Sequence, residues 1–201
     1  MGKLDFRPEN HQPTFQNHLS IFYYTISFPI FSIFSNKQGQ KIFAFRPGNW
    51  DPSEHTLLDN LRANLIAIEM LIEDEETQIN GIVIVADFRS FGFSQAKALQ
   101  PFVFKNYGQV LLNCFPIRIK GIHVLDQPKV FTVIFAIVSQ FMKEKLRKRV
   151  YLHGGNIKGL HSHINKELLP SDYGGENTAT SLKQWMRFVM NCEEEFQHLW
   201  L

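Results

Sequence analysis

A central β-strand is indicated by the stretch Gly81-Ile-Val-Ile-Val-Ala-Asp87. Between its glycine and its aspartate the stretch is continuously apolar and mostly β-branched, with no alternation of polar and apolar positions. Such a run is typical of the middle of a parallel sheet, where helices cover both faces of the strand. The stretch therefore predicts an α/β protein rather than an all-helical or an antiparallel one.

Strand and helix patterns alternate on both sides of this stretch. The β-prone segment Lys41–Arg46 predicts a strand, and the following Pro47-Gly48 ends it. Asp51-Pro-Ser-Glu54 has the composition of a helix start, because aspartate caps a helix and proline fits its first turn. An apolar stripe with helical spacing follows it, formed by Leu58, Leu61, Leu65, Ile68 and Ile72.

The rest of the chain continues this alternation. The further predicted elements are a helical stretch over 94–113 that restarts at Pro101, a strand over 116–125, a long helix over 130–148, a strand over 149–153, a helix over 157–167, a loop over 169–175 and a final helix over 181–199. Alternating strands and helices predict a mostly parallel sheet flanked by helices and joined by right-handed crossovers.

Charge is distributed unevenly, although the formal net charge is only +2. The segment 51–87 carries nine acidic residues and one basic residue, whereas 118–166 carries ten basic and two acidic residues. A chain of this kind presents a basic face that attracts phosphates or an anionic membrane. The two cysteines, Cys114 and Cys192, have no spacing of a disulfide framework or a zinc site, which favours a reducing compartment.

Residues 1–40 differ from the regular pattern that begins at Lys41. The beginning of the chain lacks the basic and apolar segments of a secretory signal. Its most apolar run, Leu19–Phe34, is interrupted by Pro29 and is shorter than the roughly 20 residues of a membrane-spanning helix. We therefore expect an atypical N-terminal segment over 1–40 and one domain over 41–201 that includes the C-terminal helix.

Five short motifs in order give the sequence a family resemblance. They are Asn49-Trp-Asp-Pro52, Glu76-Thr-Gln-Ile-Asn-Gly-Ile82, Asp87-Phe88, Phe115-Pro-Ile-Arg-Ile-Lys-Gly-Ile-His123 and Leu169-Pro-Ser-Asp-Tyr-Gly-Gly175. The series resembles the lipid-binding domain of the CRAL-TRIO family, and within it the α-tocopherol transfer, retinaldehyde-binding and clavesin-like group. The resemblance covers roughly residues 40–199. Family members normally carry a helical domain before this one, so residues 1–40 are either an unusual N terminus or the product of a misjoined coding sequence.

The resemblance implies a closed apolar cavity that binds a tocopherol-, retinoid- or terpenoid-like lipid, with no other cofactor. Matching positions assign eleven residues to its wall: Leu61, Asn64, Ile68, Ile82, Leu99, Val110, Leu111, Phe115, Ile122, Ile134 and Ile137. Periodicity alone does not distinguish a lined cavity from a filled core, and the 19 phenylalanines suit both. Asn64 lies on or beside the apolar stripe, where its amide either binds a ligand hydroxyl, a carbonyl or a water, or reaches solvent.

A helical lid and a basic docking face are also implied by the resemblance. Val130–Met142 is apolar almost all round, and the matching helix of the family covers the cavity. The basic run Lys143–Arg149 follows it directly, as in a membrane-surface element. The positions that match phosphoinositide ligands in the family are Arg118, Lys120, Lys145 and Arg149. The implied function is transfer of the lipid between membranes by a cytoplasmic monomer that docks peripherally on endosomal or other phosphoinositide-rich membranes.

Two other functions remain open. A phosphoinositide-binding trafficking adaptor would use the same basic face without moving lipid. An α/β enzyme is less favoured, because no nucleophile elbow, P-loop or dinucleotide fingerprint occurs. His161 and His163 are too few for a metal site, and Asp87 and Asp126 fit structural roles at strand ends better than catalytic ones. No nucleic-acid-binding module is recognisable.

Overall fold

Five strands form one sheet, in the order in which they occur along the chain. The computed structural model describes residues 31–113 and 115–177, so the helix predicted over 181–199 and both cysteines lie outside the described residues. The strands are β1 (Phe31–Ser35), β2 (Lys41–Phe45), β3 (Ile82–Asp87), β4 (Ile119–Leu125) and β5 (Val150–Gly154). β1 is antiparallel to β2, and β2 to β5 are mutually parallel.

Two helices join each pair of neighbouring parallel strands. They are α1 (Leu57–Ile72) and α2 (Glu75–Asn80), α3 (Phe93–Ala98) and α4 (Pro101–Asn113), and α5 (Lys129–Ser139) and α6 (Glu144–Arg147). Right-handed crossovers in a sheet with sequential strand order place all their helices on one face. The opposite face is covered by α7 (Ile157–His161) and by short 3₁₀ turns at Lys166–Leu168 and Ser171–Tyr173.

The sheet separates two hydrophobic cores, as its alternating side chains require. Phe43, Ile82 and Ile84 pack with α1 and α4 on one face. Val83 and Val85 point to the other face and pack with the segment that follows β5. Every residue of β3 is buried, which confirms the central parallel strand and the α/β fold predicted from its composition.

The first long helix begins five residues later than predicted, since its N-cap is Thr56 and not Asp51. Thr56 is its N-cap and forms a capping box with Asp59, each side chain bonding the other's backbone N–H. The Asp51 carboxylate instead accepts hydrogen bonds from the backbone and hydroxyl of Ser53, which closes a local turn. Both aspartate and threonine are good caps, and the reciprocal bonds at Thr56 determine which of them starts the helix.

The helix predicted over 130–148 is in fact two helices. α5 ends at Ser139, where the side chains of Ser139 and Gln140 both donate to the carbonyl of Ala136. Side chains that bond nearby carbonyls compete with helix continuation. The helix predicted over 157–167 likewise ends at His161, and β1 and α2 were not predicted.

Candidate functional site

An apolar cavity of about 210 Å³ lies between the sheet and the helices on its first face. Its wall is contributed by α1, α4, α5 and the four parallel strands, together with the loops that follow β2 and β3. A space for one water needs only about 10–15 Å³, and protein interiors hold few voids larger than that. The space is therefore a cavity built into the fold and not a packing defect.

Seven of the eleven residues predicted for the wall are on it. They are Leu61, Asn64, Ile68, Leu99, Leu111, Ile122 and Ile134. Ile82 and Phe115 instead pack in or against the core beside the cavity, and Val110 and Ile137 are half-buried outside the lining set. On the helices the difference is one of rotation, because a residue next to a wall position is turned away by about 100°. That any of these residues binds a ligand stays a prediction.

Nine of the wall positions that the sequence analysis missed are aromatic. They are Phe43, Phe45, Trp50, Phe88, Phe91, Phe104, Tyr107, Phe131 and Phe135. Two signals were present in the sequence. Phe43 and Phe45 are two residues apart on a strand, and Phe131 and Phe135 are four apart on a helix, so each pair shares one face. The high phenylalanine content of the chain is thus partly accounted for by the cavity wall.

Aromatic contacts connect the beginning of α5 to the loop after β3. The rings of Phe88 and Phe131 pack edge to face with centroids 5.2 Å apart, and Phe91 packs against Phe88 at 5.3 Å. Such pairs contribute about 0.5–1.5 kcal/mol beyond their buried area. At the other end of α5, a Cβ on Gly108 of α4 would lie 3.3 Å from Val138, so the two helices approach closely there.

Exposed apolar side chains occur on α4, on α5 and just after α5, and we call them the outer patch: Phe102 (66% exposed), Val133 (58%) and Phe141 (43%). The Lys105 ammonium lies 4.8 Å from the centre of the Phe141 ring and links the two elements by a cation–π contact. Exposed apolar side chains mark an interaction surface where they form a contiguous patch. α5 therefore has one face on the cavity and one face in solvent.

Asn64 is buried at 3% exposure in the middle of α1 and lies on the wall. Its Nδ2 donates to the backbone carbonyl of Asn60 at 2.8 Å and to the Asn60 Oδ1 at 3.1 Å. Its own Oδ1 is buried without a hydrogen-bond partner among the described residues. Asn64 therefore does not reach solvent, and binding of a ligand by its amide stays a prediction.

The four predicted phosphoinositide ligands lie at or near the amino ends of β4 and β5, and we call them the basic cluster. Arg118 is exposed and donates to the Ile79 carbonyl at 3.3 Å, while Arg149 is half-buried and donates to the Ile119 carbonyl at 2.6 Å. Lys120 is half-buried on β4, and Lys145 is exposed on α6. Phosphoinositide binding by these residues stays a prediction.

The spacing of the basic cluster along the chain suggests strand alternation for Arg118 and Lys120 and one helical turn for Lys145 and Arg149. Arg118 precedes β4, and the pairing of β4 with β3 skips Lys120, so strand alternation does not place their side chains on one side. Arg149 follows the helical C-cap Lys148 of α6, and its N–H bonds the Leu146 carbonyl, so the chain between Lys145 and Arg149 remains helical. Arg149 is brought beside β4 by the pairing of β4 with β5, since its guanidinium donates to the Ile119 carbonyl.

The aspartates and histidines considered in the enzyme hypothesis have structural partners or lie in solvent. Asp87 is fully buried and pairs with Arg46 at 2.9 Å and with Arg89. Burial alone raises the pKa of Asp87, but the hydrogen bonds and charges of both arginines outweigh burial and hold this pKa below its ordinary value. His161 bonds the Tyr173 carbonyl, and Asp126 is exposed. Within 31–113 and 115–177, no group of three or more metal-ligating side chains is placed to hold an ion.

Comparison with known proteins defines the class of protein. The family model described as CRAL/TRIO domain matches residues 28–175, and the chain belongs to this family of lipid-binding domains. It is 38% identical over 162 residues to an alpha-tocopherol transfer protein-like protein of Mus musculus (81% of this chain, 47% of the relative). It is 40% identical over 155 residues to clavesin-2 of Rattus norvegicus (77% and 47%). The chain thus spans about half the length of these relatives.

A solved structure supports the fold. The crystal structure of Sfh5 superimposes with a TM-score of 0.52 at 14% sequence identity, covering 77% of this chain and 57% of that chain. At this low sequence identity, the match supports the fold only. Among the described residues, no helix combines the length and the hydropathy that crossing a bilayer requires.

Proposed function

We propose that the protein is a non-enzymatic carrier that binds one hydrophobic ligand, of the tocopherol, retinoid or terpenoid type, and transfers it between membranes. The observation that carries this proposal is the apolar cavity of about 210 Å³ between the sheet and the lid helix α5. Among the described residues, no Asp, Glu, Lys, Arg or His side chain lines it, so these residues supply no charged group there for acid–base chemistry. Membership of a family of lipid-binding domains also supports the proposal that the cavity binds a hydrophobic ligand.

Affinity for the ligand comes mainly from removing apolar surface from water. Each Å² of apolar surface buried contributes about 25 cal/mol. The aromatic wall residues supply large apolar contact area without polar atoms to satisfy, and the few polar groups fix the ligand's orientation. A carrier of this design protects its ligand from water without altering it.

Docking uses the outer patch and the basic cluster together. Basic residues near an anionic membrane surface are worth about 1 kcal/mol each. They draw the protein to a phosphoinositide-bearing bilayer, and the outer patch enters the interface. Displacement of α5 then lets the ligand leave or enter. The location as a cytoplasmic monomer, peripherally bound to endosomal or other phosphoinositide-rich membranes, remains a prediction from the sequence.

A trafficking adaptor that docks but does not transfer lipid is the second candidate. It is favoured by the exposure of Arg118 and Lys145, which are accessible to head groups whether or not the cavity is occupied. Movement of ligand between vesicles separates the two candidates, because an adaptor would bind vesicles without exchanging their contents.

Native mass spectrometry with lipid extraction of the purified protein tests the carrier proposal directly. We expect one lipid of low polarity per chain, released intact on denaturation, and transfer of that lipid from donor to acceptor vesicles at a rate that rises with protein concentration. A protein that carries no lipid and does not accelerate transfer would refute the proposal.

Replacing Lys145 by glutamate tests docking. Its ammonium makes no described ion pair, so the reversal removes charge attraction without disturbing the fold, and we expect weaker sedimentation with phosphoinositide vesicles. Arg149 is a poorer target because it also holds the Ile119 carbonyl. The matched control is Lys158→Glu, an exposed reversal on α7 beyond the opposite face of the sheet. Equal binding by both variants would remove the basic cluster from the docking surface.

A further inference from the structure

A cluster of ion pairs lies at the carboxyl ends of β2 and β3, and we call its members, Arg46, Asp87 and Arg89, the clamp. The Asp87 carboxylate at its centre is 0% exposed. Arg46 follows β2 and donates from Nε to Oδ2 of Asp87 at 2.9 Å. Arg89 donates from Nε to both carboxylate oxygens, at 3.0 and 2.9 Å, and its backbone N–H donates to Oδ1 at 3.0 Å. One buried carboxylate therefore joins the loop after β2 to the loop after β3.

The clamp also binds the segment 169–175, on the face of the sheet that lies away from the cavity. Tyr173 is 1% exposed and belongs to the core of that face. The centre of its ring lies 5.1 Å from Cζ of Arg89 and 6.0 Å from Cζ of Arg46. Arg89 also donates from Nη1 to the Asp172 carbonyl at 3.0 Å. The clamp is thus anchored to a packed part of the molecule.

The two loops that the clamp joins are in direct backbone contact. A Cβ on Gly48 would collide with the carbonyl oxygen of Arg89, so this approach requires glycine. Ser90 has a φ of 63°, a left-handed conformation that costs a non-glycine residue free energy and persists only where its surroundings enforce it. The bonds of Arg89 and the contact with Gly48 supply that constraint directly before Ser90.

The same loops form one end of the cavity wall. Strand alternation directs Asp87 to the face of Tyr173 and the next residue, Phe88, to the cavity. The Phe88 ring packs edge to face against Phe131 at the beginning of α5, with centroids 5.2 Å apart. Trp50, in the loop after β2, lies on the wall as well. The helix over the cavity therefore rests on a loop that is fixed from the other face of the sheet.

We propose that Asp87 is a positioning residue for the lid. Its carboxylate holds Arg46 and Arg89, the arginines hold the two loops, and the loops keep Phe88 where α5 packs on it. This inference rests on the proposed function, because it takes α5 as the lid, and it adds a residue outside the cavity that sets how readily the lid opens. Without the clamp, the loop relaxes at Ser90, Phe88 loses its fixed place, and α5 opens more often in water.

Hydrogen exchange measured by mass spectrometry on the full chain, with no ligand or vesicle present, tests the inference because it reports opening segment by segment. The first variant, Arg89→Gln, removes the paired bonds of a half-buried side chain and leaves Arg46 as the countercharge of Asp87. The second variant is Asp87→Asn. We expect exchange over α5 to become about tenfold faster in both, as loss of a charge-assisted hydrogen bond allows.

The matched control is Lys41→Gln, which breaks the 3.3 Å ion pair with Asp74 at the other end of β2. It removes one ion pair from the same sheet, so it should leave exchange over α5 at the rate of the parent protein. Equal acceleration by Lys41→Gln would overturn the inference, because the effect would then be a general loss of stability.

Exchange over α5 that stays at the parent rate in Arg89→Gln would also overturn the inference. Faster exchange confined to 169–175 would make the clamp an anchor of that segment only. Arg89→Gln decides the matter alone if Asp87→Asn, which leaves two arginines beside a neutral amide, does not fold. The proposed function fails separately, since the lipid content of the purified protein and transfer between vesicles are measured on the parent chain and do not depend on the clamp variants.

Discussion

The pair of variants Ile134→Asp and Val133→Asp tests whether α5 is a lid with an inner and an outer face. Ile134 is 8% exposed and lies on the cavity wall, whereas Val133 is 58% exposed. Adjacent helical residues point about 100° apart, so the same substitution is placed in two environments on one helix. Valine and aspartate have similar helix propensities, which removes the backbone as a cause of any difference.

The two substitutions should differ strongly in their cost. Ile134→Asp forfeits about 1.5–3 kcal/mol of side-chain burial and adds about 1–3 kcal/mol for an unpaired polar group in the cavity. We expect a fall of about 3–5 kcal/mol in the free energy of unfolding, a large part of the 5–15 kcal/mol that is usual for a domain. Val133→Asp, on the surface, should change it by about 0.5 kcal/mol or less.

Urea unfolding followed by circular dichroism measures both costs, and sedimentation with anionic vesicles adds a second readout. Val133→Asp should weaken vesicle binding by about tenfold, because insertion would bury a carboxylate in place of an isopropyl group. An Ile134→Asp protein as stable as the parent would place Ile134 in solvent. Equal destabilisation by both variants would show that α5 is buried on all sides, and the lid assignment would be wrong.

Two further predictions concern the fold that holds the cavity. Thr56→Ala should lower the free energy of unfolding by about 1 kcal/mol in a urea titration, because it removes the cap of α1. Asp51→Ala, at the helix start predicted from the sequence, should lower it less. The reverse order would contradict the observed helix start. Burial, reinforced by His163 and His153, lowers the pKa of His123 to about 3. Below about pH 6.5, His123 binds a proton in the unfolded chain but stays neutral in the folded protein. The free energy of unfolding should therefore decrease as the pH is lowered from 6.5 towards 3, by about 2 kcal/mol at pH 5. The variant His123→Phe should show a shallower slope, and an unchanged slope would assign the acid sensitivity to other groups.

Local composition was sufficient to predict those helices and strands for which no neighbouring residue offers an alternative start or end. The run over β3 is apolar on both faces, and Pro101 restarts a helix where a proline is allowed, so both were predicted close to their observed bounds. The start of α1 was predicted wrongly because Asp51 and Thr56 are both competent caps. The end of α5 depends on side chains that bond back to Ala136, and this competition does not appear in the apolar pattern.

The cavity illustrates a different limit of the sequence. Leu111 and Val110 are neighbours of similar hydrophobicity, and only the rotation of α4 against the sheet places the first on the wall and the second off it. Lys120 shows the same dependence on tertiary structure, because a one-residue irregularity in strand pairing cancels the alternation that its spacing suggests. Periodicity identifies the buried face of a helix or strand. Whether that face packs against other side chains or lines a cavity depends on the helices and strands that lie opposite it.

The position of α5 couples docking to ligand release in the proposed cycle. The same helix presents Ile134 to the cavity and Val133 to the outside, so any shift that seats the outer face in a bilayer also moves the inner wall. A membrane can favour the open state only by interacting with it more strongly than with the closed state. The cation–π contact of Lys105 with Phe141 is present in this structure, where α5 lies over the cavity, and such a contact is worth about 0.5–1 kcal/mol at an exposed site. In the proposed cycle, anionic head groups would compete for Lys105 and the bilayer interior for Phe141. The membrane would thus replace both partners of this contact and lower the free energy of opening, whereas water would not.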